Sequence, residues 1–148
     1  MRRILLDSAV LSTLTHPYPS QESIECKAWL NAMLVADDEV IIPEVVDYEV
    51  RREYLRRSSS RALGKLEDLI QKVRYLPLET HHWRLAAQLW ADARNRGHIT
   101  APPGDLNIDI LLAAQAQLLS TPGVQVIIAT TNVRHLAPFA DARVWRDI

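Results

Sequence analysis

Four short apolar runs punctuate the chain: Ile4-Leu5-Leu6, Val40-Ile41-Ile42, Val73 to Leu78 and Val124 to Ala129. Each is too short for a helix and is bounded by polar or turn-forming residues, which predicts strands. Ala142 to Trp145 predicts a further short strand at an edge. Between the runs, apolar positions return with helical period. Ile108, Leu111, Leu112, Ala116 and Leu119 trace one face, with Gln115 as its polar exception, and this helix is expected to end near Thr121-Pro122-Gly123. Thr80 to Arg96 predicts another helix, with Thr80 as its N-terminal cap and Gly97 ending it in the left-handed conformation. Pro43 opens a third, directly behind Ile42. His98 to Gly104, with two prolines and a glycine, reads as a loop entering the helix that carries Asp109.

Strands that are apolar throughout and alternate with helices predict a parallel sheet covered on both faces, an α/β fold of three α/β/α layers. At 148 residues, one domain spanning 1–148 is expected. No run reaches the roughly 18 to 20 apolar residues that cross a bilayer, and Asp7 interrupts the first apolar stretch, so the expectation is a cytoplasmic protein without a membrane partner. Cys26 is the only cysteine, which excludes an internal disulfide, and it has no neighbours at zinc-ligand spacing.

The sheet geometry gives four scattered oxygen donors a common address. Ligands of an open parallel sheet bind beyond the carboxyl ends of its strands. Asp7 directly follows the first strand and Asn132 follows the fourth by three residues. Glu49 lies about two turns, roughly 9 Å, into the helix that Pro43 opens. Asp109 sits in the first turns of a helix that precedes a parallel strand, so that helix must begin at the same edge. On their helices, Glu49 neighbours Val46 and Val50, and Asp109 neighbours Leu112, so both border apolar stripes. Asp105, one turn before Asp109, supplies a further oxygen or caps the helix. Three carboxylates held ~5 Å apart repel pairwise by roughly 3 kcal/mol at an effective dielectric of about 20, which a divalent cation relieves. Oxygen donors without cysteine or histidine favour Mg²⁺ or Mn²⁺ over zinc, ions suited to phosphoryl chemistry.

The segments LLDSAVLS, PEVVDYEVRREYLRR, LPLET, DLNIDILLAAQA and IIATTNVRHLAPFADARVW resemble, in type and order, the PIN domain over essentially the whole chain. The stretch Asp109 to Ala116 followed by Thr130-Thr131-Asn132 resembles the second half of VapC-type toxin ribonucleases. The resemblance implies a PIN-like three-layer fold, an acidic Mg²⁺- or Mn²⁺-dependent site, and hydrolysis of RNA by an activated water that leaves the phosphate on the 5′ side of the product. It also implies a cognate antitoxin as partner and a homodimer. By the same resemblance Asp7, Glu49 and Asp109 are metal ligands, and Asn132 occupies a fourth acidic position where many members carry aspartate. There it keeps an oxygen donor and removes one negative charge. Ser8 and Thr130 stand where the family often uses hydroxyls to position acids or metal water, although helix capping explains them equally well.

Net charge is −1, but residues 51–65 place Arg51, Arg52, Arg56, Arg57, Arg61 and Lys65 against a single acid, Glu53. That is either the footprint of RNA or a solvated helix face with pairs such as Glu53 to Arg57, and in VapC-like proteins the region also contacts the antitoxin. His16, His81, His82, His98 and His135 have no serine or cysteine partner that spacing specifies, and are read as structural or exposed. Trp29, Trp83 and Trp90 are expected in the core or a dimer interface. An aspartyl-phosphatase reading fails at Ala9, where a second acid is required. A receiver-domain reading of LVADDEV fails because no aspartate ends a strand near His82, and Asp37-Asp38 fits a turn. A non-catalytic PIN-like module that binds RNA or protein is the alternative, and Asn132 favours it.

Overall fold

A computed structural model describes residues 1–97 and 107–148. The chain order is β1 (Arg2–Leu6), α1 (Ser8–Thr15), α2 (Gln21–Val35), β2 (Glu39–Pro43), α3 (Glu44–Arg56), α4 (Ser60–Lys72), β3 (Arg74–Leu76), α5 (Thr80–Asn95), α6 (Ile108–Gln117), β4 (Gln125–Thr130), α7 (Val133–Leu136) and β5 (Ala142–Val144). A 3₁₀ turn, Trp145–Asp147, follows. The five strands form one parallel sheet in the order β3-β2-β1-β4-β5, the centre of a three-layer α/β/α fold.

The fully apolar centres of β1, β2 and β4 are buried on both faces, as two-sided coverage by helices requires. Ile4, Leu5, Ile41, Ile42, Ile127 and Ile128 lose all contact with solvent, and Leu11, Leu66, Ile110 and Leu112 reach them from α1, α4 and α6. Cys26 is buried in the same core, and burial pushes its thiol up to about 12, which makes it an inert apolar filler. Trp29 packs against Trp145 with ring centroids 5.8 Å apart, and Trp90 packs on the core edge, whereas Trp83 is 46% exposed. No described helix is long and apolar enough to cross a membrane.

Several boundaries differ from expectation for local reasons. β3 is shorter than Val73 to Leu78 because it is an edge strand paired only with β2, and the Leu78 N–H donates to the Glu44 carboxylate at 3.1 Å rather than to a strand. The cap of α5 is Glu79, not Thr80: the Glu79 N–H donates to His82 Nδ1 at 2.9 Å in a capping box. Gly97 follows α5 at φ 81°, as the C-terminal reading required. The helix carrying Asp109 ends at Gln117, short of Thr121. Its cap is Asn107, whose side-chain oxygen accepts the Ile110 N–H at 3.2 Å. Asp105 and the His98 to Gly104 loop lie outside the described residues.

At the amino edge of the sheet Asp38 and Glu39 both meet arginines. Asp37 turns the chain at φ 62°, and Asp38 then accepts from the Arg2 backbone N–H at 2.9 Å and from its guanidinium at 2.6 and 3.2 Å. Glu39 is shared by Arg3, at 3.2 Å, and Arg74.

Candidate active site

The opposite edge is organised around β1 and its neighbour β4. Leu6 lies abreast of Ala129, and the Asp7 N–H extends that ladder by donating to the Ala129 carbonyl at 3.0 Å. The backbone of Asp7 is therefore fixed by the two central strands. Its side chain is fixed as well. Oδ1 caps α1, accepting the Ser8 N–H at 2.6 Å and the Ser8 hydroxyl at 3.3 Å, and Oδ2 accepts the Thr130 hydroxyl at 2.6 Å. Thr130 is wholly buried, and its oxygen in turn accepts the Asn132 N–H at 3.0 Å. One buried hydroxyl thus ties the first donor to the backbone of the fourth. Charge-assisted bonds of this length are the strong ones, so Asp7 is held in a single orientation.

Glu49 reaches the same place from α3, which leaves β2 at Pro43, and Asp109 from the first turn of α6. Both are half-buried. Burial raises the Glu49 carboxyl above the usual range. The charges of Asp7 and Asp109 raise it further, while the Ser8 hydroxyl and the Arg52 charge act the other way. Burial likewise raises Asp109, the Asp7 charge adds to it, and His135 opposes it from 3.7 Å. Asp7, Glu49 and Asp109 accordingly lie within electrostatic reach of the same site, and among the described residues neither Glu49 nor Asp109 is ion-paired to a lysine or arginine. Partly buried like charges that their neighbours only partly offset mark a candidate functional site.

Asn132 stands at the start of α7 with its side chain exposed and not capping the helix. It joins the group through Thr130 rather than by contact with an acid. Among the described residues, no three Asp, Glu, His or Cys side chains close into a ligand sphere as they stand. The donor set nonetheless fits a hard divalent cation in chemistry: oxygen only, with like charges that raise the proton affinity of Glu49 and Asp109.

The basic stretch divides. Arg51 is bonded to Asp47 at 3.0 Å and to Glu67 of α4, and Arg56 and Arg57 both close on Glu53, the second at 2.9 Å. Arg52 instead lies over the Tyr48 ring, 5.1 Å from its centroid. Periodicity passed over His135. The edge argument that located Asn132 also covers it, since α7 starts at the carboxyl end of β4 and carries both.

A sheet whose order reverses beside its first strand, with acids gathered at the carboxyl edge of that point, defines an α/β protein with a candidate ligand crevice at the switch. The PIN domain family model matches residues 4–136, and the chain belongs to that family, which is one of nucleases. No curated protein matches the chain. Among solved structures, it is similar to a chain of DNA-bound VapBC from Salmonella typhimurium, at TM-score 0.71 and 18% identity over 98% of this chain and 99% of that one. It is also similar to a chain of VapBC2 from Rickettsia felis bound to a DNA fragment from their promoter, at TM-score 0.68 and 14% identity, covering 95% and 97%. For VapBC-1 from nontypeable Haemophilus influenzae the values are 0.67 and 16%, covering 97% and 98%. At such identities the likeness is one of fold.

Proposed function

We propose that this chain is a divalent-cation-dependent endoribonuclease and the toxin of a toxin–antitoxin pair, cytoplasmic and homodimeric, working with Mg²⁺ or Mn²⁺. The observation that carries the reading is the pair Glu49 and Asp109, half-buried beside Asp7 at one sheet edge and both raised by burial and by neighbouring negative charge, with no lysine or arginine ion-paired to either among the described residues. The VapBC complexes that share the fold support a small-protein partner.

Asp7, Glu49 and Asp109 would hold the cation, which when bound supplies charge neutralisation at the phosphate and a more acidic water. The remaining work belongs to the protein. Thr130 and Ser8 keep the Asp7 carboxylate from rotating. Asn132 presents a neutral amide where a carboxylate would add charge, and so orients a water rather than binding a second ion tightly. A nucleophilic side chain has no part in the reaction.

Purified protein and the Asp109→Asn variant, incubated with total RNA with and without Mg²⁺ or Mn²⁺, test this. Cleavage is expected only with the wild type and only with metal. Cleavage that survives both the substitution and EDTA overturns it. A PIN-like module that binds without cutting is the second reading, favoured by Asn132, and wild-type protein that binds RNA but leaves it intact in Mn²⁺ would establish it.

A further inference from the structure

The basic stretch of α3 carries far less free charge than its sequence suggests. Arg51 is committed to Asp47 and Glu67, and Arg56 and Arg57 to Glu53, whose carboxyl the Arg56 guanidinium holds down at about 2. Of Arg51, Arg52, Arg56 and Arg57, only Arg52 makes no ion pair with a carboxylate of the described residues. It is exposed, yet its position is restrained because the guanidinium lies on Tyr48, itself 47% exposed. With Ser8, Ser12 and Glu49 it lines a cleft of about 280 Å³ on the flank of the acidic site. Its charge reaches the Glu49 carboxyl.

These features suit a single ligand chemistry. A planar guanidinium whose donors are free, and whose orientation is already restricted by stacking, binds a phosphate bidentately with little further loss of freedom. A polyanion approaching three carboxylates also needs a cation at the rim of the site. We infer that Arg52 binds a backbone phosphate of the substrate strand beside the one being cleaved, and that Tyr48 holds the guanidinium in place for it. This rests on the nuclease reading and adds to it a substrate contact, with Arg56 and Arg57 excluded from that role.

The test is metal-free binding, in EDTA, of a short 5′-labelled single-stranded oligoribonucleotide, followed by fluorescence anisotropy over a KCl series. Arg52→Gln is expected to weaken binding about tenfold and to lower the slope of log affinity against log salt by about one. Tyr48→Leu should cost about threefold with the slope retained, because the charge remains while its support is lost. Arg56→Gln and Arg57→Gln should stay within about twofold of the wild type. Arg52 is on the surface, so its variant folds, and an unchanged melting temperature checks this. Equal losses at Arg52, Arg56 and Arg57 would mean a diffuse basic face and overturn the proposal, as would an Arg52→Gln variant that binds like the wild type. Metal-dependent cleavage separates the two levels of inference. A wild type that cuts RNA while Arg52→Gln keeps its KM leaves the nuclease standing and removes the subsite. A wild type that binds through Arg52 but never cuts removes the nuclease and keeps the subsite.

Discussion

The two edges of one sheet treat buried and half-buried carboxylates in opposite ways. At the amino edge, Asp38 and Glu39 lead into β2 among the arginines that begin β1 and β3. The hydrogen bond from Arg2 holds Asp38 below the usual carboxylate range. Burial works to raise Glu39, but Arg74 and Arg3 outweigh it and leave it lowered. At the carboxyl edge, Glu49 and Asp109 are raised. Burial is common to both edges, so compensation is what separates them. Asp38 and Glu39 arrive with their cations, whereas Glu49 and Asp109 make no ion pair with a lysine or arginine among the described residues.

The sharpest way to break this contrast is to compare function across it. Asp109→Asn is expected to lower metal-dependent RNA cleavage on the order of a thousandfold. Asp38→Ala should leave kcat of the folded protein within about threefold, and a comparable loss there would dissolve the distinction. Stability should show the reverse. Asp38→Ala strands the Arg2 guanidinium and is expected to cost about 2 kcal/mol in urea unfolding, less than a fully buried pair because Arg2 is 29% exposed.

Millimolar Mn²⁺ should raise the melting temperature of the wild type by the equivalent of about 1–2 kcal/mol and that of Asp109→Asn by clearly less. An equal shift in both would place the ion elsewhere. Smallest, and opposite in sign to the usual effect of a substitution, Asp109→Asn is expected to stabilise the protein without metal at neutral pH. The gain is at most about 1 kcal/mol, discounted because the Asp109 side chain is 40% exposed. The gain has a definite pH dependence. A carboxyl raised in the fold adds stability below its ordinary range and loses it as pH rises through the raised value, so the two proteins should converge as the solution is acidified through that value. Asp38 follows the opposite rule. Its contribution is present above the ordinary carboxylate range and disappears as pH falls through the lowered value. Urea unfolding of both variants across that range reads the two trends directly.

Most of the frame was legible in the pattern of apolar runs, because strands covered on both faces leave an unbroken apolar signature, as Ile4 to Leu6 and Val40 to Ile42 do. Edge strands do not, and β3 is accordingly shorter than the apolar run Val73 to Leu78 that contains it. The edge argument also carried Asp7, Glu49, Asp109 and Asn132 to one end of the sheet, since strand direction fixes where each connection begins. What it could not supply were partners distant in sequence. That Arg51 is spent on Glu67 depends on how α4 folds back over α3, and that Thr130 bonds to Asp7 depends on β4 lying beside β1. The choice of Glu79 over Thr80 as a cap turned on one histidine nitrogen one turn ahead, a matter of geometry rather than propensity.

The bond from Thr130 to Asp7 closes a loop of 123 positions, and the central strand that bears Asp7 is flanked on one side by β4, which is among the last elements in chain order. Closing so long a loop comes late in folding, because its entropy must be overcome before the contact contributes anything. During synthesis, then, β1 waits for its second neighbour until most of the polypeptide has left the ribosome. A half-made chain carries Asp7 and Glu49 but has neither Asp109 nor the strand that orients Asp7. A nuclease of this family thereby has an incomplete crevice until the residues through Thr130 have been synthesised.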